Sequence, residues 1–126
     1  MKQIIVKGEG KEQEITELCE ALGRRGINII SLFGGKTTNG HLFYIITEDE
    51  VSAEKAFKQA GFEVTVKDFL PVKIPDKPGE LAKITRRLLH SGTVVKNIFL
   101  ITREKDYALI GIETDDIEKA REAVRK

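Results

Sequence analysis

The residues best equipped for chemistry lie in one run, Ile74-Pro75-Asp76-Lys77-Pro78-Gly79-Glu80-Leu81. Leu81, Ile84 and Leu88 follow at the spacing of one helix face. The run therefore reads as a loop that opens a helix. Pro78 suits the first helical turn, where a missing N–H costs nothing. Asp76 is placed to cap the helix, and Gly79 lets another group approach the backbone closely. The N–H groups beyond Gly79 have no acceptor within the helix and favour a carboxylate. Asp76 suits an ammonium group. Together these residues describe a cradle for a small zwitterion such as an amino acid. They also describe a well-capped helix with no ligand, and on residue types alone that simpler reading is preferred.

The other reactive residue types offer less. Cys19 falls in an apolar helical stripe, which predicts a buried structural thiol and not a nucleophile. His41 lies at the mouth of a hairpin and His90 near a helix end, so solvated or capping roles are expected for both. Gly8-Glu9-Gly10 follows a strand but lacks the third glycine of a dinucleotide fingerprint and reads as a turn. Asp49-Glu50 and Asp115-Asp116 each precede a helix, where capping accounts for them better than acid–base catalysis. No nucleophile–base pair and no metal-ligand spacing can be assembled, so the chain is not expected to be an enzyme or to hold a cofactor.

The elements that position the Asp76 run come from a duplication. Shifted by 66 residues, the sequence lies on itself without a gap: Val6-Lys7 on Val72-Lys73, Leu18 on Ile84, Leu22 on Leu88, Gly26 on Gly92, Phe33 on Phe99 and Asp49 on Asp115. Ile15 falls on Leu81 and Val51 on Ile117. In the first copy, Lys2 to Lys7 reads as a strand, and Ile15, Leu18, Cys19 and Leu22 as a buried helix face. Ile27 to Phe33 and Leu42 to Thr47 read as strands, joined by the turn chemistry of Gly34-Gly35 through Asn39-Gly40. Val51, Ala56, Phe57 and Ala60 mark a second helix, and Phe62 to Phe69 a fourth strand. The second copy repeats the order through Val124, but Lys126 aligns with Ala60, so its last strand is missing.

The predicted architecture is α+β: two ferredoxin-like βαββαβ modules in tandem, residues 1–69 and 70–126, with antiparallel sheets and helices on one face. A module of that size is marginal alone. The missing strand leaves an inner strand as an edge, which is tolerated or covered as it stands, filled by another chain or by part of the first copy, or the result of truncation.

Composition narrows the partners. Lys and Arg (21) nearly balance Asp and Glu (20), and only 6% of residues are aromatic, which gives no argument for nucleic acid or an anionic membrane. One cysteine excludes an internal disulfide, and the opening apolar run is too short for a signal peptide or a membrane span. A cytoplasmic protein is the expectation. Exposed sheet edges, and the tendency of identical chains to close as two-fold pairs, also predict a homodimer.

Asp76-Lys77-Pro78-Gly79-Glu80-Leu81, a helix, and Gly92 before a strand resemble the ACT domain. Gly26-Ile27-Asn28-Ile29 resembles the family's motif at the start of the second strand. The resemblance spans the chain as two modules, and is nearest to stand-alone tandem ACT proteins. The regulatory regions of phosphoglycerate dehydrogenase and of the acetolactate synthase small subunit are also similar. It implies a regulatory protein that binds an amino acid between two modules, with Asp76 to Leu81 from one and Asn28 and Ile29 from the other. Here the halves of that pattern are split. The second copy has the Pro-Gly loop but Val94 in place of the asparagine, and the first has Asn28 but the loop Gly8 to Gln13. One ligand site per tandem pair is therefore expected. The alternative is a ligand-free regulatory subunit that docks on an amino-acid biosynthetic enzyme such as an acetolactate synthase.

Overall fold

In a computed structural model, which describes residues 1–125, the chain divides into two compact units. One runs from Lys2 to Lys67; the other runs from Asp68 onward and includes Met1, whose C=O accepts the Phe69 N–H at 3.0 Å.

The first unit contains β1 (Lys2–Gly8), α1 (Glu14–Gly23), β2 (Ile29–Thr37), β3 (Gly40–Thr47), α2 (Glu50–Gln59) and β4 (Glu63–Asp68). The sheet order is β2-β3-β1-β4, with β1 and β2 both antiparallel to β3. Alternation along the strands puts Ile4, Val6, Phe43 and Ile45 into the core. Leu18, Ala21 and Leu22 of α1 and Ala53, Ala56 and Phe57 of α2 close over them. Leu22 and Phe57 are fully buried, and each such side chain contributes about 1.5–3 kcal/mol.

The second unit contains β5 (Leu70–Pro75), α3 (Glu80–Ser91), β6 (Val95–Arg103), β7 (Tyr107–Thr114) and α4 (Ile117–Arg125). Its sheet has the order β5-β7-β6. Val72, Ile74, Ile110 and Ile112 from the strands pack with Ile84, Leu88, Ala120 and Ala123 from the helices. Among the described residues β5 pairs with β7 alone in its sheet, whereas its counterpart β1 lies between β3 and β4. The two units thus share one ferredoxin-like pattern, and the second has one strand fewer.

Carboxylates cap α2 and α4. Asp49 accepts the Ser52 N–H at 3.1 Å, and Asp116 accepts the Lys119 N–H at 3.1 Å. Asp115 instead accepts the Val94 N–H, tying the start of β6 to the end of β7.

Three readings need correction. Ile15, Val51 and Leu81 are exposed, at 48%, 58% and 40%. The buried stripe of α1 runs through Glu14, Leu18, Ala21 and Leu22, and Ile15 lies about 100° around the helix from Glu14. Gly34 and Gly35 are not a turn: β2 continues through them to Thr37, and the reversal is the tight Thr38-Asn39 link. His41 is not solvated; it is buried.

Candidate functional site

The Asp76 loop sits between β5 and α3. Asp76 donates its N–H to the Asp106 C=O at 3.3 Å, Lys77 to the Pro75 C=O at 2.9 Å, and Glu80 to the Lys77 C=O at 3.3 Å. Gly79 is the N-cap of α3, with φ 87°, a left-handed conformation that penalises any side chain. A Cβ there would meet nothing within 4 Å, so the conformation and not crowding calls for glycine, and the space in front is open. The Lys83 N–H reaches the Gly79 C=O at 3.2 Å. Helix geometry leaves the N–H groups of Leu81 and Ala82 without an intrahelical acceptor, at the positive end of the helix dipole.

Two roles expected of this loop differ in the structure. Pro78 lies ahead of the helix, which starts at Glu80, because the left-handed turn at Gly79 separates them. Asp76 does not cap α3, whose N-cap is Gly79, a residue with no side chain to offer. Its carboxylate meets Arg103 Nε at 3.1 Å, an ion pair across the β6–β7 hairpin tip that is partly exposed and so weak. Glu80 meets Lys83 Nζ at 3.3 Å, while Lys77 stays exposed. Asp76 therefore already has a cationic neighbour, and Arg103 was not anticipated from sequence.

Asn28 and Ile29 lie in the first unit. Asn28 is exposed and lines an open cavity of about 520 Å³ with Arg25, Glu48, Asp49 and Ser52. Ile29 begins β2 opposite Thr47 and packs against the core. The loop residues Asp76 to Leu81 are contiguous in the second unit.

The equivalent loop of the first unit has a different content. The Glu14 carboxylate folds back over Gly8 to Lys11, accepting the N–H of Glu9 at 2.7 Å, of Gly10 at 2.7 Å and of Lys11 at 3.0 Å. His41, opposite Gly8 in the β1–β3 register, adds its Nδ1 at 2.7 Å. An ionised carboxylate only accepts, so His41 carries its proton on Nδ1. Glu14 and His41 are 7% and 5% exposed. Burial is the largest influence on Glu14 and raises its pKa, but the His41 bond and the three backbone N–H groups together outweigh it and hold the group at about 2. A Cβ on Gly8 would lie 2.6 Å from the Glu14 oxygens, so the glycine makes room for the carboxylate. The available sequence signal was the offset that lays Glu14 on Glu80, after a glycine-rich loop.

Comparison with known proteins fixes the family. The family model described as ACT domain pair matches residues 1–126. The chain belongs to this family. No curated protein matches the chain in sequence. Among solved structures, this ACT pair is similar to a protein of Bacteroides thetaiotaomicron, with 26% identity, 98% of this chain and 85% of that one covered, and a TM-score of 0.90. It shares its fold with the ligand-free regulatory subunit of aspartate kinase from Thermus thermophilus, at 19% identity, 98% and 88% coverage and a TM-score of 0.70. The corresponding subunit from Thermus flavus is similar at 19% identity, 98% and 90% coverage and a TM-score of 0.66. Among the described residues no helix of this ACT pair is long and apolar enough to cross a membrane.

Proposed function

We propose that this ACT pair is a regulatory protein that senses an amino acid at the Asp76–Leu81 loop. The carboxylate of the ligand meets the N–H groups of Leu81 and Ala82, and Asp76 takes the ammonium group by exchanging Arg103 for it. The observation that carries the reading is the open helix start behind Gly79, with an anionic side chain beside it. The regulated partner is an enzyme of amino-acid metabolism, a class supported by the aspartate kinase regulatory subunits that share the fold. The reading needs no catalytic group and no cofactor.

A thermal-shift panel of the twenty amino acids tests it. A ligand that binds only the folded state stabilises by about 2.7 kcal/mol at one hundred times its Kd, which moves the midpoint by several degrees. Asp76→Ala should cut the response to about half or less at the same ligand concentration, and Asn28→Ala reports any contribution from the first unit.

The Asp76–Arg103 pair favours a second reading. If Asp76 keeps Arg103, the chain is a ligand-free subunit that docks on its enzyme. In that case no amino acid shifts the midpoint, and an amino-acid biosynthetic enzyme co-purifies from the source cell.

A further inference from the structure

The Gly8–Lys11 loop presents three N–H groups to one point, and the group they hold belongs to the chain itself. Three converging backbone donors form a concave nest selective for anions. His41, more than nine-tenths buried, supplies a fourth donor from the facing strand. Every donor ends on Glu14 Oε1 or Oε2, and the glycine at position 8 leaves the volume those oxygens fill. In a capping box a residue of the first helical turn reaches back to one N–H, that of the N-cap residue. Glu14 reaches back in the same way but takes three loop N–H groups and the His41 imidazole, more partners than that motif supplies.

We propose that this loop is a carboxylate-binding site occupied from within, with Glu14 as a permanent built-in ligand. The first unit is then held in a liganded state, and no free carboxylate competes, because a tethered and buried group acts at an effective concentration above that of a dissolved metabolite. With the side chain shortened, the site becomes vacant and takes a small monocarboxylate. The inference stands on the first unit alone and holds whether or not the Asp76 loop binds an amino acid.

Chemical rescue tests it. Glu14→Ala should melt well below the unsubstituted protein, and sodium formate should raise its midpoint saturably, while sodium chloride of equal ionic strength does not. The unsubstituted protein should show no formate-specific rise. Adding His41→Ala should weaken the formate response at least several-fold. An equal response to both salts, or none, overturns the proposal, as does an undiminished response in the double variant. Should Glu14→Ala be insoluble, refolding poses the same question: folding in formate but not chloride supports the site, and failure in both overturns it.

Discussion

At the scale of single residues, Glu14 makes the sharpest physical prediction. Its pKa is held at about 2, below the ordinary value of 4.5, so the folded state gains stability from its charge. That gain is fully present above pH 4.5 and is lost as the pH falls toward 2. Glu14→Gln should therefore lower stability at neutral pH and flatten the acid limb across that window, read by urea denaturation at a series of pH values. A difference between the two proteins that does not change with pH would contradict the assigned charge. Gly79→Ala forces a side chain into the left-handed region and should cost about 1–2 kcal/mol, seen as a lower melting temperature. The Asp76 loop was legible in the sequence because proline and glycine fix backbone conformation locally. Glu14, His41 and Arg103 were not, because their roles come from groups far apart in the chain: His41 meets a carboxylate 27 residues away.

At the scale of elements, β5 carries residues that discourage edge pairing. Pro71 and Pro75 have no N–H to offer, and Lys73 carries an exposed charge whose ammonium lies 4.1 Å from the Tyr107 ring centre. Prolines and lysine are the usual means of discouraging edge-to-edge pairing. Pro71→Thr restores one donor, and should increase concentration-dependent association measured by light scattering. No increase would mean that the edge is protected in some other way. The helices carry the cores. Leu88 of α3 is fully buried, and Leu88→Ala should cost about 2–5 kcal/mol by chemical denaturation. Element order was readable from periodicity, since apolar residues recur at 3.6 in helices and at 2 in strands. The helix faces were read one position off at Ile15, because Glu14 takes an inward position that periodicity assigns to an apolar residue. The Gly34-Gly35 pair lies within a strand and not a turn: at Gly34, opposite Phe43, a Cβ would lie 2.2 Å from the Leu42 carbonyl oxygen.

At the scale of the whole molecule, the duplication is unequal in chemistry. The first unit spends its loop donors on its own Glu14, and the second leaves the start of α3 open behind Gly79. One effector per chain is therefore expected. Isothermal titration calorimetry with the amino acid that raises the melting midpoint measures this directly. The predicted result is a single site per chain whose affinity falls at least tenfold in Asp76→Ala, a loss of about 1.4 kcal/mol or more. Two equal sites per chain, or an affinity unchanged by Asp76→Ala, would contradict it.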